Sequence, residues 1–187
     1  MRTLVMLLAL LCLSLTVHAQ TSPAAEATTR RFAEALVRYD VVAMANELHP
    51  DVCQSFSTMA IRIVETTDPN TEKPALLKGL GVASLDDLKK LTPKQVTVKF
   101  FQLAFSKVTP QARAASLHTQ ITIIGSLLEK DCIDVLYRAE TNPQNPTPRS
   151  TVPAVAILKR DGATWKIAST PQMESMLTKL KTLTDGK

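Results

Sequence analysis

Between Ala114 and Ser169 the apolar side chains stop recurring every three or four residues and alternate with a period of two, which places a sheet in the second half of the chain. Its firmest local mark is Thr151 to Ser169, where two strand-like runs flank Lys159-Arg160-Asp161-Gly162-Ala163. Asp-Gly is a hairpin signal because both residues tolerate positive φ. A two-residue loop centred there pairs Leu158 with Trp165 and Ala156 with Ile167, and sets Ala154, Ala156, Leu158, Trp165 and Ile167 on one apolar face. The other face carries Val155, Ile157, Lys159, Thr164, Lys166 and Ala168, a mixture suited to a sheet packed on one side and wet on the other.

Earlier strands repeat the pattern. Leu117, Thr119, Ile121, Ile123 and Leu127 share one side, and Ser116, His118, Gln120, Thr122 and Ser126 the other. In the next run Ile133, Val135, Tyr137 and Ala139 face inward, opposed by Cys132, Asp134, Leu136, Arg138 and Glu140. Asn142 to Arg149 holds three prolines, cannot join a ladder, and reads as a long hairpin loop.

The first half reads as helices. Ser22-Pro23 opens one that carries Phe32, Leu36 and Tyr39 on a stripe. Asp40 caps a second, Val41 to Leu48, ended by His49-Pro50, where a histidine near a helix C-terminus has an ordinary structural role. Asp51 is expected to cap a third helix bearing Val52, Phe56, Met59, Ala60, Ile63 and Val64. After the Asp68-Pro69-Asn70 turn come a short helix broken by Gly79 and Gly81, a one- or two-turn helix after Ser84-x-x-Asp87, and a well-signalled helix from Pro93 to about Lys107 with the capping box Thr92-Pro93-x-Gln95. The apolar surface of that last helix is wide enough to lie across the sheet. A helix after Thr170-Pro171 carries Met173, Met176, Leu177 and Leu180, with Lys179 and Lys181 elsewhere, and is expected to cover a sheet edge or a neighbouring chain. The class is α+β: helices of the N-terminal half on an antiparallel sheet of about four strands, closed by a C-terminal helix.

Arg2, the apolar run Leu4 to Leu15 and the small-residue site Val17-His18-Ala19 read as a signal peptide over residues 1–19, leaving 20–187 as one α+β domain, exported to the periplasm or secreted. Cys12 lacks the small residue expected before a lipid-modified cysteine, so a lipoprotein is the second reading. The later chain offers no run of about 20 apolar residues to span a membrane. Net charge is +5, but the basic residues are scattered and aromatics make up only 4%, which disfavours nucleic acid as a partner. Cys53 and Cys132 form an even pair in an oxidising compartment and are expected to bond, stabilising the fold by roughly 4 kcal/mol in the loop-entropy picture. No His/Cys spacing suggests a metal, and no cofactor is expected.

The run Tyr39-Asp40-Val41-Val42-Ala43-Met44-Ala45-Asn46-Glu47-Leu48-His49-Pro50-Asp51 and the closing hairpin Val155 to Ile167 together resemble the nuclear transport factor 2-like, or SnoaL-like, superfamily. That resemblance implies a curved antiparallel sheet rolled into a cone with helices closing its mouth. It also implies isomerases, dehydratases, transport adaptors and exported binding proteins as functions. An isomerase or lyase places an acid or base and an oxyanion donor inside the cone, and the suspects are Asp134, Tyr137 and His118. The alternation turns His118, Asp134 and Glu140 outward, so a noncatalytic protein is the preferred expectation. Either Phe100, Phe101, Phe105, Tyr137 and Trp165 line an apolar small-ligand pocket, or Leu136, Val155 and Ile157, with the C-terminal helix, pair the outer sheet side with a protein partner or a second copy.

Overall fold

The computed structural model describes residues 22–70, 72–141, 153–171 and 173–178. The expected signal peptide, the proline-rich Asn142–Arg149 segment and the side chains of Lys179, Leu180 and Lys181 lie outside them.

Four of the described helices begin where a short polar side chain precedes proline, because the side chain caps a free N–H and proline has none to leave unpaired. In α1 (Pro23–Arg38) the Ser22 hydroxyl accepts from Ala25 N, and in α2 (Val41–Glu47) Asp40 accepts from Ala43 N. The third helix, α3 (Pro50–Thr66), is capped by His49 and not by Asp51, which sits in its first turn. Two short helices follow, α4 (Glu72–Gly79) and α5 (Leu85–Lys89, capped by Ser84). In α6 (Pro93–Phe105) both halves of the Thr92–Gln95 capping box are made. A helix not foreseen, α7 (Pro110–Ser116), repeats the device with Thr109 and Pro110. It delays the sheet past Ser116 and leaves Leu117, expected inward, 64% exposed as its C-cap.

The sheet is an antiparallel meander in the order β1 (Thr119–Glu129), β2 (Cys132–Thr141), β3 (Pro153–Asp161), β4 (Thr164–Ser169). The last hairpin turns at Gly162-Ala163, one residue later than the Asp-Gly reading placed it, with Gly162 at φ +58°. Leu158 therefore pairs with Ile167 and Arg160 with Trp165. A shift of one residue in both strands leaves every side chain on its expected face, and Ala156, Leu158, Trp165 and Ile167 are all buried.

β1 departs from simple alternation. Ile123 pairs with Tyr137 and Gly125 with Leu136, so Ile124 is the extra residue of a β-bulge. Beyond it the faces exchange: Ser126 turns inward and is buried, while Leu127 turns outward and is 45% exposed. The expectation for these two residues is thereby reversed.

Packing also differs from the expected layering. It is α1 that crosses the inner face of the sheet, touching β1, β2 and β4, whereas α6 packs on α3. The main core gathers Phe32, Phe56, Phe101, Val135, Tyr137, Leu158 and Ile167 between helices and sheet. A smaller cluster of Ala60, Val64, Leu80, Leu88 and Val96 sits among α3 to α6, and Phe100 packs against both. Met173 of the C-terminal helix joins the main core, capped by Thr170, whose hydroxyl accepts from Met173 N at 3.2 Å.

Two substitutions probe this arrangement. Thr29 is wholly buried in α1 and its hydroxyl has no partner among the described residues. Thr29→Val should therefore raise the unfolding free energy by about 1 kcal/mol. Thr92→Ala removes half of the α6 capping box and should lower it by about 1 kcal/mol. Urea titrations of both variants check the signs.

Candidate interaction surface

Of the residues expected to line an apolar pocket, Phe100, Phe101 and Phe105 are packed into one aromatic cluster, while Tyr137 and Trp165 are buried elsewhere. Phe101 lies edge-on to Phe56 with ring centroids 5.0 Å apart and stacks on Phe105 at 6.1 Å, and Phe56 meets Phe100 at 6.0 Å. Phe105 also meets Tyr39 edge-on at 5.3 Å. Tyr137 is 4% exposed, and burial raises its hydroxyl above the ordinary phenol range. Trp165 is buried under the guanidinium of Arg160, 4.1 Å above its ring. These five side chains do not converge on a shared cavity: Phe100, Phe101 and Phe105 fill the α3–α6 side of the core, Tyr137 stands on β2 beside Ile123 and Ala154, and Trp165 is at the far hairpin.

The three acid–base suspects are also apart. Tyr137 faces the core, and Asp134 lies on the opposite side of the same strand, between Leu127 and Ile157. His118 is exposed at the α7–β1 junction. His49 does structural work at a different junction from the one expected. Its Nδ1 accepts from Asp51 N at 3.3 Å, which leaves the ring proton on Nε2, 3.3 Å from the Arg160 carbonyl. Its own backbone N–H donates to the Ile167 carbonyl at 2.8 Å, fixing the start of α3 to the sheet.

Cys53 and Cys132, expected to bond, are both free thiols. Cys53 is buried in α3, its carbonyl accepting from the Thr97 hydroxyl at 3.2 Å. Cys132 alternates with the inward Ile133 and so stands on the outer side of the sheet, its thiol 3.2 Å from the Glu129 carbonyl. The sheet separates them. Burial pushes the Cys53 thiol up, against the lowering effects of Thr97, Lys94 and Lys166.

The outer face of the sheet is where apolar surface remains uncovered. Ile124 and Leu127 on β1 and Leu136 on β2 are 47%, 45% and 36% exposed. Val155, partner of Leu136, and Ile157, partner of Asp134, continue the strip across β3, half-buried. Polar groups bound it at both ends: Arg138 and Glu140, paired at 3.2 Å, with Gln120 and Thr122 at one, and Lys159 and Lys166 at the other. Leu136, Val155 and Ile157 were legible from alternation. Ile124 and Leu127 were missed, although Ile123-Ile124-Gly125 carries the usual bulge signal, a glycine inside a strand.

Among the described residues no group of three metal-ligating side chains gathers, and no helix is long and apolar enough to cross a membrane. No protein-family model, curated protein or solved structure matches the chain.

Two measurements test these placements. A thiol reagent should label Cys132 in the folded protein and Cys53 only on unfolding, and an intact chain lighter by two hydrogen atoms would contradict free thiols. Burial keeps both Cys53 and Tyr137 neutral, so each ionises at higher pH in the folded than in the unfolded chain. Their contribution is complete at neutral pH and is lost as pH rises, first through the thiol and then through the phenol range. The urea midpoint should fall from about pH 9 upward, and Tyr137→Phe should flatten the alkaline end of that fall.

Proposed function

We propose that the protein is an exported, noncatalytic interaction domain that pairs with a second copy of itself through the outer face of its sheet. One observation carries the reading: Ile124, Leu127, Leu136, Val155 and Ile157 form an uncovered, mainly apolar strip, interrupted by Asp134 between Leu127 and Ile157, on a sheet whose other face is packed. The ends of the strip favour a second copy over an unrelated partner. A two-fold axis through the Leu136–Val155 row would bring Lys159 of one chain toward Glu140 of the other, and the symmetry would make that contact twice. The order of elements and the curved sheet are also compatible with the SnoaL-like resemblance. The filled interior then favours a noncatalytic member over an isomerase or lyase, because an acid–base site needs an open, polar interior.

The test is sedimentation equilibrium over a concentration series with wild type and Leu136→Asp. Leu136 lies at the surface, so the substitution leaves the core intact. The wild type should self-associate and the variant should stay monomeric. A wild type that is monomeric throughout, or a variant that associates equally well, overturns the reading.

A further inference from the structure

On the outer face of the sheet the charges of β2 are antisymmetric about Leu136. The outward residues of that strand run Cys132, Asp134, Leu136, Arg138 and Glu140. Asp134 stands two residues to one side of Leu136 and Arg138 two residues to the other. About 13 Å of strand separates them, with the leucine between, so they do not pair within one chain.

Each is left incomplete by its own chain. Asp134 is half-buried between Leu127 and Ile157, and its carboxylate has no hydrogen bond or ion pair among the described residues. Arg138 gives Nη1 to Glu140 at 3.2 Å, but its Nε is buried without a partner and its Nη2 donates to no described residue. The Arg138 side chain as a whole is 42% exposed and can be reached from outside. An apolar partner laid over the strip would take the Asp134 charge out of water uncompensated, at a cost that cancels much of the apolar gain. The occupant must therefore bring a cation to Asp134 and an acceptor to Arg138.

A second copy of the chain brings both. A two-fold axis along the Gly125–Leu136–Val155 row, in the plane between two facing sheets, reverses the strand direction and sets Asp134 of one chain opposite Arg138 of the other. Sheets packed face to face lie about 10 Å apart, a gap that an arginine and an aspartate together span. The same operation sets Cys132 opposite Glu140 and Glu129 opposite Gln120, so no like charges are directly opposed among the described residues. Any other register leaves Asp134 facing an apolar or like-charged group, which excludes it. We infer, resting on the self-pairing reading above, that the outer face pairs in a single register fixed by two reciprocal ion pairs, Asp134 of each chain with Arg138 of the other.

Charge reversal followed by sedimentation equilibrium tests the register. Wild type should be dimeric. Asp134→Arg alone and Arg138→Asp alone should each raise the dimer dissociation constant about 100-fold or more, because each opposes like charges twice across the axis. An equimolar mixture of the two variants should regain most of the lost affinity as a heterodimer, since every reversed group then meets an opposite charge on the other chain. The neutral changes Asp134→Asn and Arg138→Gln give the same test without repulsion: each should weaken pairing about tenfold or more, and the double variant should lose less than the two losses multiplied together. A wild type that stays monomeric overturns the self-pairing reading and this inference with it. A dimeric wild type whose variants pair equally well, or whose neutral variants lose affinity independently, overturns the inference alone and leaves the outer-face reading to the Leu136→Asp result. So do folded single-reversal variants that stay apart when mixed.

Discussion

The seating of α1 on the inner face of the sheet determines which surface of this fold is closed and which is open. Apolar contact through Ala25, Phe32, Ala33 and Ala35 supplies the burial, but it is non-directional and would allow the helix to slide. Polar bonds at both edges prevent that. Toward β1, Arg30 donates to the Ile121 carbonyl at 2.8 Å, Ser126 donates to Glu26 at 2.8 Å, and Ser22 N–H donates to the Ser126 hydroxyl. Toward β4, the buried Thr28 hydroxyl donates to the Trp165 carbonyl at 3.3 Å. The helix is thereby held across the sheet, with one face of it shielded from solvent and the other left bare.

The bulge at Ile124 is part of the same constraint. Without it Ser126 would face outward, Glu26 would lose its partner on β1, and Leu127 would be buried under α1. With it, the strand supplies a hydroxyl to the helix and places Leu127 beside Leu136 on the open face. One inserted residue therefore secures the core and enlarges the apolar strip, and it also leaves Leu128 at the uncovered end of the inward side.

Much of the architecture was legible in the sequence because local rules and burial agree there. The α+β order, the alternation of β2 and of the last hairpin, and the caps at Ser22, Asp40, Ser84, Thr92 and Thr170 all rest on interactions within a few residues. Thr109-Pro110 carried the same cap signal as Thr92-Pro93 and announced α7, but its helix is short and only weakly apolar, so periodicity did not reveal it. Relative placement was the part left open. The apolar width of α6 suited a sheet or a helix equally well, and only tertiary packing assigned it to α3. That choice turned the Phe100, Phe101 and Phe105 cluster from a pocket wall into core. The Cys53–Cys132 pairing failed on the same point, since parity and compartment say nothing about which side of a sheet each thiol occupies.

Concentration-dependent methyl NMR tests the central claim, that the inner face is closed and the outer face is the working surface. On dilution, shifts should change at Ile124, Leu127, Leu136, Val155 and Ile157, while methyls lining the α1 side, such as Val135 and Leu158, stay fixed. Shifts confined to the inner-face methyls, or none anywhere across the series, would contradict it.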